Sequence, residues 1–456
     1  MSGAAAVQEH RSAARAPARK RVVLIAYSYP PDPIVGAFRP AKLVAALRAA
    51  GHEVEVITAR LPGETARLRV EEPGLRVHAI GHLPHPRHLY LHLKARLRRG
   101  GAATAGAAAP PTPAQAYAPP SAAASPARWK RYLLSLLRLP DDKQGFIPAA
   151  VRAALPLLRD GADLLYTTAP PFSAHLAGLL LKRLTGVRWV AEFRDPWADN
   201  PRRPAAVRSA AADALNRRLE ARCLAHADHV VAVSEFTHAR LSTRLGERAA
   251  RQLSLVLNGI DHIEPPAAPA PAGRPLRILH AGSLNRDAQP FLAALAAVRA
   301  RLGLPAGALQ VEFLGRYGML ASPPLAELAR RHGLEDAVVV TPWAEQAVAH
   351  QRIREADLLL LFFDGYAEAI PYKLFDYLGA RKPILAVVDA HGEAAAMLRQ
   401  VGGHFVVPAN EAGAIEPLLE DALRSARAGA AAGDDCLLQA WSTRAQMQKL
   451  LAALQM

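Results

Sequence analysis

Cysteine is nearly absent from this chain: Cys223 and Cys436 are the only two in 456 residues, and they stand far apart. That argues against a disulfide framework and a cysteine-based metal site, and it suits a reducing cytosol. Long apolar runs are missing as well. No stretch reaches the roughly 18 to 20 apolar residues that a bilayer-spanning helix needs. The first twenty residues, MSGAAAVQEHRSAARAPARK, are polar and basic and lack the apolar centre of a secretion signal. They read as a disordered tail, and a cytoplasmic protein is expected. Acidic residues are in the minority, 40 against 56 Lys and Arg, which leaves a net charge of +16. An anionic partner is therefore expected, and nucleic acid, a membrane surface and a phosphorylated substrate all fit that balance. No zinc-finger spacing, RNA-binding aromatic signature or helix-turn-helix pattern accompanies the basic residues, so nucleic acid is not the expected partner. The pattern G-x-G-x-x-G is also lacking, which counts against a dinucleotide-dependent dehydrogenase. Ser234 lies outside any nucleophile-elbow pattern, so a hydrolase triad has no support.

What is present is an alternation of Val/Ile/Leu-rich runs with Ala-rich helical stretches, the pattern of parallel sheets covered on both faces. At this length two or three domains are expected. Residues 21–26, 53–58, 162–168, 188–193, 229–233 and 253–257 read as strands of a first domain, 21–264. An Ala/Pro/Gly/Ser-rich stretch at 100–127 reads as a flexible insertion within it. The segments 87–99 and 128–138 flank the insertion and mix basic residues with Trp, Tyr and Leu. They read either as helices lying on an anionic membrane surface or as ordinary amphipathic helices packed on the domain. PPAAPAPAGRP, 265–275, reads as a linker. A second domain, 276–437, has five or six strands, and a helix over 438–454 is placed to cross back to the first domain.

The run EAIPYKLFDYLGARK, Glu368 to Lys382, carries the densest chemistry. It follows the apolar run DLLLLFF, 357–363, so it belongs at the carboxyl end of a parallel strand, where open α/β sheets bind ligands. With Pro371 in the first turn of a helix, Glu368 falls in the loop before it and Asp376 about a turn inside, with Lys373 between. One carboxylate can then accept hydrogen bonds from a sugar and the other from a ribose diol, with Lys373 beside a diphosphate. The competing reading is a helix with a solvated face and an i, i+3 Lys–Asp pair. Three further turns sit at strand ends. Gly36 can let a phosphate or sugar approach the backbone, or simply make a turn. Arg194, Asp195 and Trp197 share one strand end, as ligand contacts or as a loop clamp with a packing Trp. Gly282 and Ser283 can offer backbone N–H groups and Arg286 a fork of donors to phosphate, or form a tight turn with a surface Arg.

The motifs YSYPPDPIVGAFRPAKL, GHEVEVIT, EFRDPW, ADHVVAVSEF, LNGID, HAGSL and EAIPYKLFDYLGARKPILA, in this order, resemble glycosyltransferase family 4 from Arg21 to the carboxyl terminus, apart from the insertion. The resemblance implies the GT-B architecture, two Rossmann-like doubly wound parallel-sheet domains facing across a cleft. It also implies transfer of a hexose from a nucleotide diphosphate sugar to a carbohydrate or lipid-linked acceptor hydroxyl, with retention at the anomeric carbon and no bound metal or other cofactor. The composition of the basic, aromatic segments 87–99 and 128–138 suggests a membrane-bound or lipid-linked acceptor, as in surface polysaccharide or glycolipid synthesis on the inner face of the cell membrane. On the same resemblance Glu368 contacts the donor sugar and Asp376 the ribose. Lys373 and Arg286 neutralise the diphosphate, Gly36, Gly282 and Ser283 line the donor turns, and Asp195, Arg194 and Trp197 serve the acceptor side. Asp376 departs from the Glu that the family pattern has there. The competing functions are a nucleotide-sugar epimerase or phosphorylase of the same architecture and a non-enzymatic basic anion-binding protein.

Overall fold

The computed structural model describes residues 19–65, 67–83, 132, 135–200, 203, 208–266, 269, 273–284, 286–315, 324–430 and 432–456. The insertion at 100–127, the basic segments at 87–99 and 128–131 and almost all of the basic tail lie outside them.

The first sheet is built from β1 (Arg21–Ala26), β2 (Glu53–Ala59), β3 (Leu68–Glu72), β4 (Leu75–Ile80), β5 (Leu164–Ala169), β6 (Arg188–Phe193), β7 (His229–Ala232) and β8 (Leu253–Leu255). Their spatial order is β3-β4-β2-β1-β5-β6-β7-β8, and every neighbouring pair is parallel except β3 with β4. β1 and β5 are buried almost from end to end. The reason is that α1 (Phe38–Ala49), α2 (Phe146–Arg159), α3 (Ser173–Thr185), α4 (Ala210–His226) and α5 (Glu235–Leu245) cross over between parallel strands and cover both faces. The hairpin β3–β4 was not read from the sequence. β4 places a buried residue at every second position, β3 has no buried residue, and the two join at the Pro73-Gly74 turn with Gly74 at φ +78°, which is a weak signal beside the continuous apolar runs.

The second sheet contains β9 (Leu276–Ala281), β10 (Leu309–Leu314), β11 (Val338–Thr341), β12 (Leu358–Phe363), β13 (Ile384–Val388) and β14 (Phe405–Pro408), all parallel, in the order β11-β10-β9-β12-β13-β14. Its helices are α6 (Gln289–Arg301), α7 (Leu325–Arg331), α8 (Gln346–Glu355), α9 (Tyr372–Gly379), α10 (Glu393–Val401) and α11 (Ile415–Arg427). The strand order reverses direction between β1 and β5 in one sheet and between β9 and β12 in the other. At such switch points the loops leaving the strands diverge and open a crevice.

The carboxyl-terminal segment is two helices, α12 (Asp435–Ala440) and α13 (Thr443–Leu454), where one was expected. Ser442 breaks the run: its hydroxyl accepts from Ala445 N at 3.2 Å and caps α13. α13 does return to the first domain. Met447, Leu450 and Leu454 pack with Leu43, Val44 and Leu47 of α1, and the Gln446 amide oxygen accepts from Leu257 N at 2.8 Å. Gly259 allows the crossing, since a β-carbon there would lie 2.2 Å from Thr443 Cα. Lys42 of α1 pairs with Asp261 at 2.7 Å, and its ammonium lies over the Tyr372 ring of the second domain. Among the described residues, no helix is long and apolar enough to cross a membrane.

Candidate functional site

A cleft of about 340 Å³ runs between the domains. From the first domain it is lined by Gly36 after β1, Pro170 after β5, Arg194 and Asp195 after β6, and Ser234 after β7; from the second, by the loop after β12, including Glu368 and Pro371. Every one of these follows the carboxyl end of a parallel strand. The cleft therefore collects, from distant parts of the chain, four of the residues singled out in the sequence: Gly36, Arg194, Asp195 and Glu368. Glu368 is half-buried in the loop before α9, whose first turn starts after Pro371.

Arg194 is held as a clamp. Its guanidinium donates to the carbonyls of Gly36 and Pro170 and so ties three loops of the first domain together. Desolvation pulls its pKa below the ordinary value, with Glu192 and Asp195 opposing. Gly36 lies directly beside this clamp: a β-carbon there would be in ordinary van der Waals contact with the Arg194 guanidinium, at 3.6 Å.

Beneath the cleft lies a charge pair that sequence reasoning did not assign. Arg39 and Glu192 are both buried, and Arg39 Nε donates to Glu192 Oε1 at 2.8 Å. Arg39 also donates to the carbonyls of Leu257 and Val256, each at 2.8 Å. Glu192 accepts from Tyr166 Oη at 2.8 Å and Thr168 Oγ1 at 2.7 Å. Burial alone would push the Glu192 carboxyl up; Arg39 and the two hydroxyls outweigh it and hold it below the usual carboxylate range. The signal for it was a Glu inside a strand otherwise buried on both faces, because a charge there must be paired. The network fixes β6, the start of α1 and the segment after β8 as one floor.

On the other side, Lys373 extends from the first turn of α9 to the end of β9. Its Nζ donates to Ala281 O at 3.1 Å and lies 3.3 Å from His280 Nε2. Gly282, at φ +103°, lies beside it: a β-carbon there would be 3.6 Å from Lys373 Nζ. Desolvation brings the ammonium down to about 7. His280 is fully buried, and burial together with Lys373 holds it well below its ordinary value, so it is a neutral imidazole. Its Nδ1 lies 3.0 Å from Leu360 O. With the proton on Nδ1, the Nε2 lone pair faces the lysine. His280 was not singled out in the sequence, where its one mark is a polar ending to an apolar strand.

The remaining predicted residues lie elsewhere. Arg286 pairs with Asp364 in the loop after β12 and stacks against Tyr366, with its Cζ 5.2 Å from the ring centre. Ser283 is exposed next to Gly282. Asp376 does not line the cleft that contains Glu368. It faces His350 Nε2 at 3.6 Å in a separate hollow with Asp261, Glu264 and Arg354, and its hydrogen bond and charge raise the pKa of His350. Trp197 is not at the mouth either. It is 1% exposed, stacked on Phe172 at 4.8 Å, and its Nε1 donates to Asn216 Oδ1 at 3.0 Å. The loop after β6 turns inward there, because an indole gains more from burial than from solvent. Among the described residues, no group of His, Cys, Asp and Glu is placed to hold a metal ion.

Residues 37–259 match the family described as glycosyl transferase 4-like domain. Sucrose-phosphate synthase from Thermosynechococcus elongatus superposes with a TM-score of 0.53 at 16% identity, covering 96% of this chain and 97% of that one. HepE from Anabaena, in complex with UDP-glucose, gives 0.54 at 13% identity over 95% and 99%. The α,α-trehalose 6-phosphate synthase from Burkholderia multivorans gives 0.56 at 11% identity over 96% of both chains. The chain has the GT-B fold. No curated protein sequence matches. In GT-B terms the cleft above is the groove between the two facing sheets, and both domains contribute to its lining.

Proposed function

We propose that this GT-B protein is a retaining glycosyltransferase that moves a hexose from a nucleotide diphosphate sugar to an acceptor hydroxyl. The observation that carries this reading is the cleft in which Glu368 of one domain meets Gly36, Arg194 and Asp195 of the other. A carboxylate at the mouth of a strand end is suited to accept hydrogen bonds from hexose hydroxyls. Behind it, Lys373 lies beside the Gly282 turn, where a diphosphate would meet one concentrated positive charge. Such a charge matters most as the diphosphate departs and gains negative charge. Asp195, on the cleft lining, would serve the acceptor. Arg286 would reach a phosphate by leaving Asp364, and the ribose role implied for Asp376 requires its side chain to leave His350. No metal is required by this reading. The GT-B neighbour crystallised with UDP-glucose supports a uridine diphosphate sugar as the first donor to try.

The acceptor we infer is a carbohydrate or lipid-linked hydroxyl in surface polysaccharide or glycolipid assembly, reached at the cytoplasmic face of a membrane through residues 87–138. That part of the reading rests on composition, and most of those residues lie outside the described ones.

The test is incubation with a panel of nucleotide diphosphate sugars, following nucleotide release and the anomeric configuration of the product by NMR. The expected result is acceptor-dependent transfer with retention, reduced at least about a hundredfold by Glu368→Gln, the scale on which removal of one transition-state contact falls. Inversion at the anomeric carbon, conversion of the sugar without acceptor, or undiminished turnover by Glu368→Gln would each refute it.

A further inference from the structure

Glu393 opens α10 in the second domain, but its carboxylate belongs to a contact with the first. It accepts from Phe236 N, and from Glu235 N at 3.2 Å, the first two amides of α5. The next orphan amide, Thr237 N, is capped by Ser234 Oγ at 3.2 Å. A helix start leaves such N–H groups unsatisfied and carries a partial positive charge, so a carboxylate is the side chain that suits it. Burial pushes the Glu393 carboxyl up, against the pull of these donors.

The same residue also holds the catalytic loop. Glu393 N donates to Ala367 O at 2.8 Å, and Asp389 Oδ2, four residues earlier, accepts from Tyr366 N at 2.9 Å. Residues 366 and 367, directly before Glu368, therefore hang from the turn that presents Glu393. Gly392 makes the approach close: a β-carbon there would lie 3.1 Å from Ala367 Cα. Ser234, next to the capped helix start, and Glu368 line the same cleft.

We propose that Glu393 is a positioning residue: by docking on the start of α5 it fixes the loop that carries Glu368, so that apposition of the two domains and alignment of Glu368 are one event. This rests on the reading of Glu368 as the donor-sugar carboxylate. The coupling is mechanical. The side chain grips one domain and the backbone of the same residue grips the loop, so one group cannot move without the other.

The experiment uses the full chain with Glu393→Ala and Glu393→Gln, read in two ways. Hydrogen exchange is followed at the amides of residues 235–236 and in the loop 366–369, and UDP-glucose turnover is measured beside UDP affinity. For Glu393→Ala, exchange at both places should accelerate about tenfold or more and kcat should fall by a similar factor, while UDP affinity changes less than about threefold. Glu393→Gln keeps one acceptor oxygen and should lie between Ala and the wild type in both readouts; it also carries the test if Glu393→Ala fails to fold. Wild-type exchange in loop 366–369 of a folded Glu393→Ala would overturn the proposal, as would an affinity loss equal to the loss in kcat. If the wild-type chain does not turn over UDP-glucose, that counts against the functional reading alone, and the exchange arm still decides the coupling.

Discussion

Lys373 offers the most quantitative test of the donor site, because its protonation is balanced near neutrality. Desolvation brings its pKa from 10.5 to about 7, and the neighbouring His280 is neutral. Only the ammonium form attracts a diphosphate. The apparent affinity for UDP should therefore follow the protonated fraction, which falls from about 90% at pH 6 to about 1% at pH 9 for a group of that pKa, roughly tenfold or 1.4 kcal/mol per unit above pH 7. The terminal phosphate of UDP gains its second charge near pH 6, so the window from 7.5 to 9 isolates the lysine. Titration calorimetry over that window should show affinity weakening by about tenfold to thirtyfold, with net proton uptake approaching one per UDP bound at pH 8.5. Lys373→Met should bind UDP weakly and without this slope, and Lys373→Arg, charged throughout, should also be flat. The stability of the unliganded protein follows the same titration. Between about pH 7 and 10.5 the unfolded chain holds a proton on Lys373 that the folded one does not, so this group's contribution to stability rises with pH through that window and is flat below it. A wild-type UDP affinity that does not change from pH 7 to 9, or a slope that survives in Lys373→Met, would refute the reasoning.

Two further outcomes follow from the first domain. Arg39→Leu leaves Glu192 charged and buried with only two hydroxyl donors, and should cost about 3–5 kcal/mol in urea unfolding; adding Glu192→Gln should recover part of that loss, and a single-variant loss under about 1 kcal/mol would show that the pair is not buried as described. Trp197→Ala empties the place of an indole stacked on Phe172 and should cost about 3–5 kcal/mol, while Trp197→Phe should keep the acceptor KM within about threefold; a large KM change with unchanged stability would return Trp197 to the cleft.

The sheet organisation was legible because parallel strands covered on both faces are continuous apolar runs, as in RVVLIA and DLLLLFF, and their order follows from alternation with helices. The convergence of Gly36, Arg194, Asp195 and Glu368 was legible for the same reason: each stands just beyond such a run. What spacing could not give was side-chain direction within a loop or helix. Trp197 turns inward although it is two residues from Asp195, and Asp376 turns to α8 although it is only one turn from Lys373. The side-chain partners of Arg39, His280 and Glu393 were equally hidden, since each of those side-chain contacts joins residues 80 or more positions apart. The hairpin β3–β4 was missed because the edge strand β3 buries none of its residues fully and so looks like loop.

The return of α13 to the first domain has a consequence for the order of folding on the ribosome. The face of α1 formed by Leu43, Val44 and Leu47 is complete only when Met447, Leu450 and Leu454 cover it. Those residues are synthesised after the whole second domain. The domain made first therefore keeps this face uncovered until α13 has left the exit tunnel and docked on it. A chaperone that shields the α1 face during synthesis would be displaced by α13.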